Sequence, residues 1–253
     1  MYPALADKVA AWLNAVGQAG RFLSDAGRAL RDVGVWAGLT VVQMRRIGVE
    51  SLPIALFIAV FTGIVLALLS SYTLTGAVPL YFVGTLVGKA VMIELAPVLT
   101  GLALAGRVGA NIAAELGTMK VTEQVDALET LAYDPFSFLV VPRVLAATLM
   151  FPVVIALAAA TGITSGWLTA INLLDLSTVE FARGLRLFYE FKDIWFGLVK
   201  SLSFGLAIAL IGCLKGLNSG GGAEGVGRAT TQAVVLGAQT ILVLDAFWAV
   251  VLL

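Results

Sequence analysis

Residues 52–72 read LPIALFIAVFTGIVLALLSSY, a run of 21 positions without a charged side chain. A helix rises 1.5 Å per residue, so this stretch would form a rod about 30 Å long, close to the hydrocarbon thickness of a bilayer. Soluble helices keep one polar face, whereas this one would be apolar on almost every side. The stretch therefore predicts a transmembrane helix and sets the class of the chain.

The rest of the chain supports the same class. Of its 253 residues, 60% are hydrophobic and 13% are charged, whereas an average soluble domain carries about 25% charged residues. Four more apolar stretches are long enough to cross a bilayer: Leu80–Ala105, Val144–Ala170, Ile194–Leu214 and Thr230–Leu253. We therefore expect an all-α integral membrane protein with five transmembrane helices, which leaves no room for a second sizeable soluble domain.

The N-terminal segment, residues 1–47, has a different pattern from the spans. Apolar positions such as Trp12, Leu23 and Trp36 alternate with basic residues, which is typical of an amphipathic helix lying in the lipid headgroup layer. A solvated helix that packs on the bundle fits the same pattern, and the segment could form one helix or two. We divide the chain into this interfacial region and a five-span domain over residues 48–253.

Composition argues against several other functions. Sixteen basic and sixteen acidic residues give no net charge, so the chain lacks the basic surplus that nucleic acid binding needs. Histidine is absent and Cys213 is the sole cysteine, which removes the usual zinc sites and histidine-based catalysis. We expect no catalytic residue, no metal site and no nucleic acid partner.

Basic residues near the span ends are unevenly distributed. Six lie in the N-terminal segment, three in the loop after the second span and two in the loop after the fourth, which makes eleven on one side. Three lie on the other side, namely Arg183, Arg186 and Lys192. Because cytoplasmic loops are enriched in Lys and Arg, this predicts a cytoplasmic N-terminus and a C-terminus outside the cytoplasm.

Four charged residues fall inside the predicted spans: Lys89, Glu94, Lys200 and Asp245. A charge at the bilayer centre costs about 2.5–3.5 kcal/mol on insertion scales, so such residues usually face a cavity or a partner. Glu94 and Lys200 could pair across the interior, either around a cavity or as a purely structural pair. Lys89 and Asp245 lie closer to span ends and could reach the interface instead.

The polar segment Arg107–Asp134 separates the second span from the third. If one helix begins at Glu115, an arc of about 120° would hold four acidic residues: Glu115, Glu123, Asp126 and Glu129. Such an acidic ridge would face water or a partner. A break at Gly117 would detach Glu115 from it, and an ordinary solvated connector would show the same periodicity.

Residues 94–124, ELAPVLTGLALAGRVGANIAAELGTMKVTEQ, resemble the MlaE (YrbE-like) permeases of ABC lipid transporters. The late segment GVGRATT, residues 225–231, resembles the C-terminal signature of the same family. The similarity runs from about residue 50 to the end of the chain. It implies an amphipathic N-terminal helix followed by five spans, in a homodimer in the bacterial inner membrane.

The resemblance also implies a role and partners. Two cytoplasmic ATPases, which bind ATP and magnesium, would drive movement of phospholipids between the inner membrane and the outer membrane system, so this chain would need no cofactor. A ring of MCE-domain proteins would bind on the periplasmic side, and a small accessory subunit is a further expected partner on the ATPase. A cytoplasmic coupling helix would contact the ATPase through Glu115, Lys120, Glu123, Asp126 and Glu129.

The resemblance places Glu94 and Lys200 at charged positions near the lipid path. Many relatives carry Arg directly before this glutamate, where the present chain has Ile93, which puts any headgroup contact by that Arg in doubt. Apolar residues of the first span are candidates for the path lining: Phe57, Phe61, Leu66, Leu69 and Tyr72. Ordinary packing or lipid contact would explain the same residues.

Two alternatives belong to other functional classes. An ion-coupled secondary transporter of a hydrophobic substrate would use Glu94 or Asp245 to carry protons, but internal repeats typical of such proteins are not evident. An intramembrane enzyme would need a nucleophile and a base in the bilayer, and no motif supplies them. Copurification of an ATPase subunit would distinguish the transporter driven by ATP from both alternatives.

Overall fold

The computed structural model describes residues 17–74, 78–188 and 190–252, and every regular element in those ranges is helical. Five helical segments in these ranges are long and apolar enough to cross a membrane. The predicted all-α membrane class and its five spans are therefore confirmed. Predictions that concern residues 1–16, including Trp12, lie outside the described residues.

The helices of the described ranges are α1 (residues 17–29), α2 (Val33–Ile47), α3 (Leu52–Thr73), α4 (Phe82–Val121), α5 (Gln124–Thr130), α6 (Phe136–Leu173), α7 (Thr178–Phe188), α8 (Phe191–Leu217) and α9 (Gly222–Leu252). The five membrane-spanning segments are α3, α4, α6, α8 and α9. A short 3₁₀ turn, Val49–Ser51, joins α2 to α3. The first apolar segment is therefore continuous with part of the predicted N-terminal region.

Helix α4 is much longer than the apolar stretch that predicted it. We expected the span to end at Ala105, but the helix runs on to Val121 and has 40 residues, about 60 Å of rise. Its polar continuation stays helical because one face, including Ile112 and Leu116, is fully buried against α8 and α9. The bundle therefore extends well beyond one hydrocarbon thickness at the end where α4 meets α5.

Helices α3 and α6 run in parallel and approach each other by their backbones. A Cβ atom added to Gly63 would lie 2.0 Å from the carbonyl oxygen of Gly162, so only glycine fits at this crossing. The Ser165 hydroxyl donates a hydrogen bond to the Val60 carbonyl oxygen at 3.0 Å, which ties the two helices together. Helices α4 and α8 also run in parallel, and α9 runs antiparallel to both.

Helix α7 lies across the first turns of α4. A Cβ atom on Gly84 would meet the Phe181 backbone at 2.3 Å, and the Thr85 hydroxyl donates to the Gly184 carbonyl oxygen at 2.5 Å. Ser177 directly precedes the helix, and its hydroxyl and backbone N–H both donate to the Glu180 carboxylate and hold the pKa of Glu180 below the ordinary value. Helix α7 therefore covers the end of the bundle opposite α5.

The last helix begins earlier than the apolar stretch Thr230–Leu253 predicted. Helix α9 starts at Gly222, and only a few residues separate it from α8. Gly221 and Gly222 have φ angles of 81° and 71°, which glycine adopts without strain, so the chain reverses here tightly. The first turns of α9 already pack on α4, where Val226 lies against Gly117.

Candidate functional site

Three charged side chains from three different spans meet inside the bundle. Lys200 of α8 places its Nζ atom 2.7 Å from Oε2 of Glu94 on α4, and it also forms an ion pair with Asp245 on α9. The Lys200 side chain is completely buried. The predicted pairing of Glu94 with Lys200 is therefore present. We call these three residues the charge cluster.

A local change in helix geometry helps to hold Lys200. Residues Val91–Leu95 of α4 form a π-helical turn, which interrupts the regular i to i−4 hydrogen bonds. The Ile93 carbonyl oxygen within this turn accepts a hydrogen bond from Lys200 Nζ at 3.3 Å. The Phe196 ring lies 4.8 Å from the same nitrogen, a cation–π distance. Lys200 is thus surrounded by partners from α4, α8 and α9.

Sequence reasoning missed the place of Asp245. We left this residue as one that could reach the membrane interface, whereas its side chain is only 16% exposed and lies against Lys200. One turn of α9 away, the Trp248 indole donates to the Ser203 hydroxyl at 2.9 Å and fixes α9 on α8. The one signal in the sequence for this position was that Asp245 is an acidic residue within an apolar stretch. Lys89 is apart from the cluster and lies 3.9 Å from Asp193.

Exposure distinguishes the members of the charge cluster. The Glu94 side chain is 44% exposed in the single chain, whereas Lys200 is fully buried. If all three groups are ionised, two carboxylates face one ammonium and leave one surplus negative charge. Glu94 is thus the member that a polar group outside the chain can reach.

The predicted acidic ridge does not form a single helix, and the expectation of one helix from Glu115 to Glu129 is wrong. Helix α4 ends at Val121, the Thr122 hydroxyl bonds back to the Thr118 carbonyl oxygen, and Glu123 adopts a left-handed conformation with φ 60°. A left-handed residue after the last turn is a common helix stop. The break lies there and not at Gly117, which is buried within α4 and contacts Ser219.

The Glu115 side chain does not join the predicted acidic ridge. Its carboxylate pairs with Arg143 of α6 at 3.0 Å and with Arg46 of α2 at 3.1 Å. Of the remaining acidic residues, Glu123 is exposed directly before α5, and Asp126 and Glu129 are exposed on α5. Lys120 at the end of α4 pairs with Asp126 at 2.7 Å. The acidic surface is therefore confined to the α4–α5 turn and α5.

The candidate lining residues of α3 divide into two faces. Phe57, Phe61, Leu69 and Tyr72 are exposed, and the rings of Phe57 and Phe61 lie 4.9 Å apart. Leu66 is half-buried and packs against the core, because it lies about 180° around the helix from Phe57. The exposed four form an apolar stripe on the outside of the single chain, and Leu66 does not belong to it.

Residues 40–251 match the protein family described as Permease MlaE. The chain belongs to the MlaE permease family. A probable ABC transporter permease protein of Rickettsia typhi is 43% identical over 83% of this chain and 81% of its own length. A probable ABC transporter permease protein of Synechocystis is 41% identical over 82% of the chain and 79% of its own length.

A third relative covers almost the whole chain. The intermembrane phospholipid transport system permease protein MlaE of Haemophilus influenzae is 33% identical over 96% of this chain and 93% of its own length. The MlaE-family match begins at residue 40, within α2, so part of the predicted N-terminal region belongs to the matched segment. Together these matches identify a multi-pass permease subunit of the transporter class and not an enzyme.

Proposed function

We propose that this chain is the membrane subunit of an ABC transporter that moves phospholipids between the bacterial inner membrane and the outer membrane system. Its membership in the MlaE permease family carries this proposal, since the Haemophilus relative is named as an intermembrane phospholipid transport permease. ATP and magnesium would bind to a separate cytoplasmic ATPase. The chain itself would supply the lipid path.

The charge cluster suits the polar part of such a lipid. Glu94 is reachable from outside the chain, while Lys200 holds it from behind and is itself held by Asp245. Burying three charges in a membrane is costly unless they are paired, so the one accessible carboxylate is a natural contact for an ammonium or hydroxyl group of a headgroup, and not for its phosphate. The apolar stripe of α3, from Phe57 to Tyr72, would contact acyl chains, and a second copy of the subunit would close the path.

Helix α5 is the proposed coupling helix. It is short and exposed, and it is joined to α4 by only two residues, so a push on α5 acts directly on α4. The same α4 carries Glu94, which lies 27 residues before Val121, about 40 Å along the helix axis. A continuous helix of this length can transmit an ATP-driven movement from the ATPase to the charge cluster.

The remaining partners follow from this assignment. The α4–α5 end would face the cytoplasm together with the N-terminus, and an accessory subunit would bind to the ATPase below it. The opposite end, covered by α7, would face the periplasm and an MCE-domain ring. Glu115 and Lys120 would support the coupling helix from α4, while Glu123, Asp126 and Glu129 would contact the ATPase.

Charge reversal at α5 tests the coupling assignment. We expect the double variant Glu123→Lys, Asp126→Lys to lose copurification with the ATPase at least about tenfold, because like charges would replace complementary ones. Both residues are exposed, so the bundle should stay folded, as thermal unfolding in detergent would verify. The matched control is Arg186→Glu on α7, at the opposite end of the bundle.

Lipid transport in reconstituted vesicles provides the second readout. The double variant should show neither ATP-dependent transport nor stimulation of ATP hydrolysis, whereas the control should keep both. Retention of the ATPase and of transport by the double variant would contradict the assignment of α5. Transport driven by a proton gradient without ATP would instead favour the secondary transporter, with Glu94 or Asp245 as the proton carrier.

A further inference from the structure

A second polar site lies on α4, between its π turn at Ala105–Gly109 and the end of α2. A cavity of about 460 Å³ opens here between the two helices. Its polar lining comes from Gln43, Arg46, Glu50, Arg107, Asn111 and Glu115. The charge cluster is distant, since Glu94 precedes Arg107 by 13 residues, about 20 Å along the helix.

The charges that line this cavity balance, and a third guanidinium group lies directly behind them. Arg46 and Arg107 line it, and Arg143 lies behind Glu115, whose carboxylate it contacts at 3.0 Å. Against these three guanidinium groups stand two carboxylates, Glu50 and Glu115. The Arg143 side chain is 5% exposed, and its Nε atom has no hydrogen-bond partner among the described residues.

The ion pair at the mouth of the cavity is loose. Arg107 and Glu50 are 3.9 Å apart, longer than a hydrogen bond, and their side chains are 37% and 53% exposed. Exposed pairs of this kind contribute little and are readily exchanged for a better partner. A planar guanidinium binds phosphate through two parallel hydrogen bonds, so an incoming phosphate group can compete with Glu50 for Arg107.

The position of the cavity indicates where such a phosphate would come from. Arg107 follows the apolar stretch Leu80–Ala105 by two residues, and Arg46 precedes the apolar helix α3 by six. Both arginines therefore lie just beyond the hydrocarbon layer, at the depth of lipid headgroups. The cavity is open to its surroundings, so a headgroup at this depth can enter it.

We propose that this cavity binds a phosphate group, and that its source is the phosphodiester headgroup of a membrane lipid. Arg107 is the principal contact and Arg46 the second, while Glu50 competes with the ligand for Arg107. Assigning the site to the cytoplasmic leaflet, as a waiting position on the transport path, rests on the proposed function. The binding of phosphate itself does not.

Binding of defined lipids to the purified chain tests this proposal by native mass spectrometry. We expect Arg107→Gln to lower the affinity for phosphatidylglycerol about tenfold, and Glu50→Gln to raise it, because the competing carboxylate is gone. The control, Arg31→Gln, removes the same charge from an exposed position between α1 and α2 and should bind like the wild type. Lipid held at the charge cluster forms a background that all variants share.

Arg107→Gln and Glu50→Gln should change the lipid affinity in opposite directions, so a general loss of folding would not give the expected result. Diacylglycerol with the same acyl chains should show no difference between the variants, because it lacks the phosphate. If inorganic phosphate displaces the lipid from the wild type at equal concentration, the cavity is still a phosphate site. Its ligand is then a free anion and not a lipid headgroup. Equal lipid binding by Arg107→Gln, Glu50→Gln and Arg31→Gln would overturn the proposal and leave the residues as a structural ion-pair network.

These measurements need no ATPase, so they separate this site from the proposed function. If the variants bind lipid as expected but no ATP-dependent transport is found, the site stands and the transporter assignment fails. If transport is found and the variants bind equally, the transporter stands and the site fails.

Discussion

Lys200 is the central residue of the charge cluster. It is a fully buried cation in a membrane, held by Glu94, Asp245 and the Ile93 carbonyl oxygen. Breaking a buried ion pair by removing one partner is strongly destabilising, whereas replacing the whole group with apolar residues is often neutral. The cost of a substitution here thus depends on which charges remain.

This asymmetry gives a prediction at the scale of the residue. Lys200→Met should lower the free energy of unfolding by about 3–5 kcal/mol, because Asp245 is left without its counter-ion. The double variant Lys200→Met, Asp245→Asn should recover most of that loss. Glu94→Gln should cost less than Lys200→Met, since Lys200 then still keeps Asp245 as its counter-ion. Thermal unfolding in detergent measures all three, and equal stability of the single and double variants would contradict the prediction.

The sequence predicted part of this cluster and could not predict the rest. The cost of charge in a membrane was enough to pair Glu94 with Lys200 across two spans. It did not reveal Asp245, because a residue's type does not tell which direction it faces on α9. Nor did it reveal Arg46 and Arg143 as partners of Glu115, since those contacts join residues 69 and 28 positions away in sequence.

At the scale of the element, helix α4 shows why span ends are hard to predict. A hydropathy pattern records where lipid contact ends, whereas the helix continues wherever tertiary packing covers one of its faces. Beyond Ala105 that cover comes from α8 and α9, whose positions follow from the fold and not from the local sequence. Helix α3 was predicted almost to the residue, because charged residues precede it and turn residues follow it.

The crossing of α3 and α6 allows a second prediction. Gly63→Ala should destabilise the protein by at least about 1–3 kcal/mol, because its Cβ would lie 2.0 Å from a backbone oxygen that cannot move aside. The control is Gly38→Ala on α2, where no other described atom lies within 4 Å of the added methyl group. That change should be neutral or stabilise by about 0.5–1 kcal/mol, because alanine favours the helix. Comparison of the two unfolding midpoints in one detergent checks this, and a neutral Gly63→Ala would mean that the helices are not in such close contact.

For the whole molecule, the parallel and antiparallel packing of the spans fixes which loops share a side. The α4–α5 turn and the start of α9 lie at one end, while α7 and the start of α8 lie at the other. The count of basic residues in the sequence, eleven in the segments assigned to one side and three in those assigned to the other, predicts that the first end faces the cytoplasm. Every proposed partner depends on this orientation, since the ATPase and the MCE ring occupy opposite sides.

Single cysteines test the orientation directly. Lys192→Cys at the start of α8 should react with a membrane-impermeant maleimide in intact spheroplasts, because this end is predicted to face outward. Glu224→Cys, which replaces a 77% exposed side chain at the start of α9, should react only after the membrane is opened. The wild type is its own control, since its sole cysteine, Cys213, is fully buried and should stay unlabelled in both states. Reaction of Glu224→Cys in intact spheroplasts would place α5 outside the cytoplasm, beyond the reach of any ATPase, and would refute the coupling mechanism together with the orientation.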